Sequence, residues 1–192
     1  CLVCGWLMNR TDCGWFDLSR VAAVGDSAGA HLLTIYCAAA HNAEYEARLG
    51  IHLPRGQDGK PFCPSAIGLN CGVYSIDFAG SSSLTRGLVK ALLTTRGKSA
   101  TELDFINPTT YIQPSFPPAF VVTGSQDKLA GPPAQISLTK KLDACGIPYV
   151  DRTYGTELNP QPHVFHLDIR NRLGRQCNDE ECAWLLEQLY PT

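Results

Sequence analysis

The chain has 192 residues, of which 44% are hydrophobic and 18% charged, and its formal net charge is −2. That composition excludes a disordered chain, and the size suits one domain with a core that needs no metal or disulfide staple. No basic run stands out and no apolar stretch approaches the ~20 residues of a membrane span, so neither nucleic acid nor a membrane is expected as a partner.

The opening Cys1-Leu2-Val3-Cys4-Gly5-Trp6-Leu7-Met8 is apolar from its first position, with neither a basic leader nor a small-residue cleavage site. Val21–Val24 forms a short apolar strand, followed at once by Gly25-Asp26-Ser27-Ala28-Gly29. Ala30–Ala40 is rich in helix formers. The order strand, tight glycine turn, buried helix is an α/β signature. Residues 54–64 hold three prolines and two glycines and read as a loop. Ala66–Tyr74 is a second buried strand. Between Ser75 and Phe105 the pattern turns helical, with Leu84, Leu88, Val89, Leu92 and Leu93 on one stripe.

Ala119–Gly124 is a third strand, ending in Ser125-Gln126-Asp127. Pro132 and Pro133 suit a helix start and Gly146 its stop. Ile147–Tyr154 is a fourth strand. A final helix is expected to open at Asn178-Asp179-Glu180-Glu181 and to bury Cys182, Leu185, Leu186 and Leu189. Repeated β-α order with apolar strands implies a mostly parallel sheet flanked by helices.

Nine cysteines are spread without a repeated spacing. Cys1 and Cys4 make a C-x-x-C that no second pair completes, so reduced, structural cysteines in a reducing, cytoplasmic setting are expected. Cys37 and Cys71 read as small hydrophobes in a helix and a strand.

Gly25-x-Ser27-x-Gly29 between a strand and a helix is the context of a nucleophile elbow. Small flanking residues let strand and helix approach, and the turn lifts the serine oxygen above the sheet edge, with the Ala28 N–H and the helix N-terminus facing a developing oxyanion. A serine needs a base, and the base needs an orienting carboxylate. In this fold class the acid and then the histidine follow the serine, each in a loop after a strand. Asp127 and His163 fit that order. Asp77 and Asp104 are rivals that fall in the helical insertion. Chemistry alone does not separate His163 from His166; loop position after Pro162 favours His163, leaving His166 a packing residue. His31, on the elbow helix, reads as a packed core histidine, while His41 and His52 have no evident partners.

These residues resemble a known family. Gly25-Asp26-Ser27-Ala28-Gly29 with His31-Leu32, then Phe116-Pro117-Pro118-Ala119-Phe120-Val121-Val122-Thr123-Gly124-x-x-Asp127, then His163-Val164-Phe165, resemble the α/β-hydrolase superfamily. Closer still, they resemble the acetyl esterase and hormone-sensitive-lipase-like carboxylesterases. The resemblance implies an α/β-hydrolase fold, Ser27 as nucleophile, Asp127 as acid, His163 as base and the Ala28 N–H as one oxyanion donor. It implies a small-molecule ester as substrate, a short acyl group, no cofactor and a cap-like helical insertion at about 75–105. In the family a further glycine usually follows the elbow, and Ala30 stands there in this sequence. The family's upstream His-Gly-Gly loop has no match before Ser27, which only 26 residues precede. The sequence is therefore expected to be the C-terminal portion of an esterase domain spanning 1–192, and losing an oxyanion donor would cost about 10²–10³ in turnover. Two other outcomes stay open: a non-catalytic or inactive ligand-binding member, and a peptidase of the same fold.

Overall fold

A computed structural model describes residues 2–9, 17–75, 87, 90–91 and 104–191. Within them, four short runs form strands β1 (Ala22–Asp26), β2 (Ala66–Asn70), β3 (Ala119–Gly124) and β4 (Tyr149–Tyr154). All neighbours are parallel, and the sheet order follows the chain, β1-β2-β3-β4. Parallel neighbours require long crossovers, so helices cover both faces and the central strands are apolar throughout. Every residue of β2 and β3 is buried, whereas β4 exposes Asp151, Arg152 and Thr153.

The helices are α1 (Leu2–Met8), α2 (Ala28–Ala40), α3 (Ala43–Leu49), α4 (Pro132–Cys145) and α5 (Arg172–Leu189). Side chains alternate across the sheet with a period of two. On one face Ile67, Leu69, Ala119 and Val121 pack with Cys37, Ala38, Leu138 and Leu142. On the other, Phe120 and Val122 pack with Phe165, Cys177 and Trp184. That second face also carries a polar pair. Both oxygens of the buried Glu181 carboxylate accept from Asn70 Nδ2, at 3.0 and 3.1 Å. A Cβ on Gly68 would lie 1.9 Å from Glu181 Oε1, so only glycine leaves room for the acid. Burial raises the pKa of Glu181 above the ordinary carboxylate value, against the hydrogen bond from Asn70.

The strands stand near the expected places, but β2 stops at Asn70, four residues short of Tyr74, because Cys71 turns the chain with φ 51°; Gly146 ends α4 in the left-handed conformation (φ 66°). Two helices differ. α5 begins at Arg172, six residues before Asn178, because Asn171 supplies the cap: its side chain accepts from the Leu173 N–H at 3.0 Å. Asn178 instead donates its amide to the His166 carbonyl, at 3.0 Å. The buried face of α5 is Gly174, Cys177, Glu181 and Leu185, and of the expected stripe Cys182 and Leu186 are exposed. The short α3 was not anticipated. It is capped by Asn42, which accepts from the Tyr45 N–H, and it buries Tyr45 in a stack on Tyr111 with ring centres 3.8 Å apart.

The leucine stripe expected between 75 and 105 lies outside the described residues; Gly87, Lys90 and Ala91 within that span are helical. Cys1 of the C-x-x-C also lies outside them. Among the described residues no helix is long and apolar enough to cross a membrane.

Candidate active site

The site lies where the chain leaves the carboxyl ends of β1 and β3 and in the loop after β4. β1 ends at Asp26, and Ser27 turns the chain with φ 53° and ψ −117°, a conformation that costs an L-residue of order 1–3 kcal/mol. The turn is held from below, since the Ser27 N–H donates to the Asn70 carbonyl at 2.8 Å. It also brings strand and helix very close. A Cβ on Gly25 would stand 2.6 Å from the Gly29 backbone, which explains the first glycine of the elbow. The second is different, because a Cβ on Gly29 would meet nothing within 4 Å, so space alone does not demand glycine there. Ala28, an exposed residue, is the first of α2, and its N–H belongs to the first turn, where amides have no intrahelical acceptor.

Asp127 follows β3 by three residues. Its Oδ1 accepts from the Leu129 and Ala130 N–H groups, each at 2.9 Å, which locks the carboxylate and leaves Oδ2 for another donor. That donor is His163, whose Nδ1 lies 2.8 Å from Oδ2. The other ring nitrogen, Nε2, lies 2.8 Å from Ser27 Oγ. The Asp127 side chain is fully buried and that of His163 is 23% exposed, so the chain of groups opens toward solvent only at its imidazole and hydroxyl end. With Nδ1 donating its proton to Asp127, Nε2 is left as an acceptor for the serine hydroxyl.

The histidine loop is fastened to the aspartate loop. Gln126 N–H donates to the Gln161 carbonyl at 2.9 Å, and the Gln161 N–H returns a bond to Ser125 Oγ at 3.2 Å. Asn171 donates to Gln161 Oε1 at 2.6 Å, tying both loops to the start of α5. A Cβ on Gly124 would sit 2.5 Å from the Gln161 carbonyl oxygen, so the loop lies directly on the end of β3.

Ser27, Asp127 and His163, singled out in the sequence, thus form one hydrogen-bonded chain, and the rivals lie elsewhere. Asp104 binds Arg48 through both oxygens at 2.6 and 2.7 Å, and Asp77 lies outside the described residues. His166 is buried, its Nδ1 has no hydrogen-bond partner, and burial lowers its pKa below the ordinary imidazole value. His31 is partly buried, and its Nδ1 meets the Val73 carbonyl at 2.5 Å, which fastens the turn after β2 to the elbow helix.

One neighbour of the site escaped sequence reasoning. Cys71, buried just past β2 with φ 51°, places its sulfur so that it and donor atoms of Asp127 and His163 lie within 4.8 Å of one another. A strand-like setting gives no hint of this, because the turn out of β2 alone aims the thiol at the acid. These three would be the metal ligands among the described residues, yet burial pushes the thiol up to about 12, and imidazole and carboxylate already satisfy each other. The arrangement favours proton handling over ion binding.

The BD-FAE family model matches residues 3–142. Comparison with curated protein sequences yields no match. Among solved structures, esterase B from Lactobacillus rhamnosis is similar at 21% identity and a TM-score of 0.80, over 97% of this chain and 58% of its own. The same enzyme inhibited by a C4-C4 tributyrin phosphonate is similar at 20% identity and a TM-score of 0.77, over 97% of this chain and 58% of its own. A carboxylesterase from Lactobacillus plantarum follows at 19% identity and a TM-score of 0.73, over 98% of this chain and 66% of its own. An acetyl ester-xyloside bifunctional hydrolase from Caldicellulosiruptor lactoaceticus shares 16% identity at a TM-score of 0.68, over 94% of this chain and 61% of its own. The fold is that of the α/β-hydrolases, and the chain spans about three fifths of the length of these structures.

Proposed function

The chain belongs to the BD-FAE family, and from that premise we propose that it is the triad-bearing part of a serine carboxylesterase acting on short-chain acyl esters. The observation that carries this reading is the unbroken chain Ser27 Oγ, His163 Nε2, His163 Nδ1, Asp127 Oδ2, with 2.8 Å at each contact between residues.

In the first step Ser27 Oγ bonds to the ester carbonyl carbon while His163 Nε2 takes the hydroxyl proton. Asp127 stays ionised and stabilises the imidazolium through Nδ1–H. The carbonyl oxygen, now an oxyanion, is met by the Ala28 N–H at the start of α2, where the helix dipole adds to the attraction. His163 then returns the proton to the departing alkoxide, and the C–O bond to the alcohol breaks. Water repeats the sequence on the acyl-serine, losing its proton to His163 and releasing the carboxylic acid. The short acyl group rests on the relatives: one is captured with a tributyrin phosphonate and another is described as an acetyl ester hydrolase.

Labelling with a fluorophosphonate probe tests the reading, alongside hydrolysis of 4-nitrophenyl acetate, butyrate and octanoate. The protein is expected to label once, at Ser27, and Ser27→Ala to abolish both labelling and turnover. Hydrolysis should fall from butyrate to octanoate. Labelling that survives Ser27→Ala sinks the nucleophile, and preference for octanoate sinks the short-chain assignment.

A further inference from the structure

The last helix, α5, takes hold of the site at two places. At its start Asn171 donates to Gln161 Oε1 at 2.6 Å, two residues before the proposed base His163. About three turns further on, Glu181 grips the side-chain amide of Asn70.

Asn70 is the last residue of β2, and it lies opposite Asp26 on the strand that delivers the serine and Val122 on the strand that delivers the acid. Its carbonyl accepts the Ser27 N–H at 2.8 Å, and the Cys71 N–H donates to the Val122 carbonyl at 2.8 Å. That carbonyl and that N–H belong to one peptide group. A single rigid plane therefore holds the nucleophile on one edge and the acid-bearing strand on the other. The chain then turns at once through Cys71, whose φ of 51° is a conformation that persists only where the surroundings enforce it.

Stability alone would not select this grip. Glu181 and Asn70 are 4% and 1% exposed, Asn70 Oδ1 has no hydrogen-bond partner, and Gly68 must lack a side chain to admit the acid. Apolar residues of the same shape would fill the space and leave no polar group unpaired. What the polar pair adds is direction. Two carboxylate oxygens on one amide nitrogen fix where the Asn70 side chain points, and with it the peptide plane that follows.

We propose that Glu181 is a positioning residue for ester hydrolysis: through Asn70 it sets the peptide plane that carries Ser27, while Asn171 on the same helix sets the loop that carries His163. α5 is thus a strut that fixes hydroxyl against imidazole. The proposal rests on the reading of Ser27 as nucleophile.

The test compares the parent with Glu181→Met, Glu181→Gln and the double variant Asn70→Leu/Glu181→Met. The readouts are the rate of fluorophosphonate labelling at Ser27, kcat and KM for 4-nitrophenyl butyrate, and the urea midpoint. Glu181→Met strands the Asn70 amide, so kcat and the labelling rate should both fall about 10- to 100-fold with KM unchanged. Glu181→Gln keeps an acceptor for that amide and should keep the parental rates. The double variant leaves no buried group unpaired, so its urea midpoint should return to the parental value or above it while kcat stays low. Rates that recover together with the midpoint would reduce Glu181 to a stabilising role and overturn the proposal. So would parental rates in Glu181→Met, an equal loss in Glu181→Gln, or a raised KM at unchanged kcat. Should one of the two methionine variants fail to fold, the other and Glu181→Gln decide. A parent that does not label at Ser27 overturns the nucleophile reading and this proposal with it, whereas equal labelling of parent and variants overturns this proposal alone.

Discussion

Positive φ among the described residues falls on glycines and on three other residues, and the helix ends and the surroundings of the triad are filled differently. At the ends of α3 and α4 the chain reverses through Gly50 (φ 65°) and Gly146 (φ 66°), where no side chain resists the turn. Around the triad the same sign of φ is carried by Ser27, Cys71 and Val164. The first ends β1, the second leaves β2 and the third adjoins His163, so each lies within contact range of the proposed chemistry or beside a residue that takes part in it. Where the fold only has to turn, glycine removes the strain; where a side chain must stand at the strand ends, the strain is kept and offset by packing elsewhere.

The contrast is broken most severely by Asp127→Asn. The amide cannot hold the imidazolium or enforce the Nδ1–H tautomer, so kcat for ester hydrolysis should fall about 10³–10⁴-fold, with the melting temperature changed by only a few degrees. Turnover within tenfold of the unaltered protein would remove Asp127 from the proposed triad. A paired experiment comes next in size. Ser27→Gly should relieve the elbow and stabilise the fold by about 1 kcal/mol while ending turnover, and Gly146→Ala should destabilise it by about 1 kcal/mol. A Cβ at 146 meets nothing within 4 Å, so the second measurement isolates the backbone cost. Urea denaturation reads both, and shifts of the same sign would mean that the elbow is not strained.

The smallest expected effect concerns the floor beneath the elbow, where Glu181 holds Asn70 and the Asn70 carbonyl holds Ser27. A carboxyl whose folded pKa lies above its unfolded value, about 4.3, binds protons more tightly in the folded state. Its burial therefore costs nothing below that value, and stability declines as the pH rises from there through the raised folded value. Glu181→Gln cannot ionise and can donate to Asn70 Oδ1, which has no hydrogen-bond partner. The variant should gain on the parent across that acid window and hold its advantage above it. Denaturation midpoints at a series of pH values measure this, and a gap that ignores pH would show that Glu181 binds its proton equally in the folded and unfolded states, which would overturn the raised folded pKa.

Much of this region was readable in advance because its signals are local. An apolar run meeting Gly25-Asp26-Ser27-Ala28-Gly29 and then Ala30–Ala40 announces strand, turn and helix within twenty residues. The order of Ser27, Asp127 and His163 follows from which loops leave the strand ends. What was hidden depends on contacts distant in sequence. A glutamate on a helix reads as a solvated charge until Gly68 opens a space for it and Asn70 supplies a donor. The start of α5 is hidden for the same reason: Asn171 accepts from the Leu173 N–H and caps the helix, while Asn178, inside it, donates to the distant His166 carbonyl.

The bridge through Gln161 has a consequence for redesign. Because this residue ties Ser125, Gln126 and Asn171 together two positions before His163, the segments bearing the acid and the base behave as one cassette. Grafting either alone onto a related scaffold would shift imidazole against carboxylate, whereas moving 124–127 together with 155–171 carries the spacing intact. Diversity intended to alter selectivity is better introduced beyond these anchors.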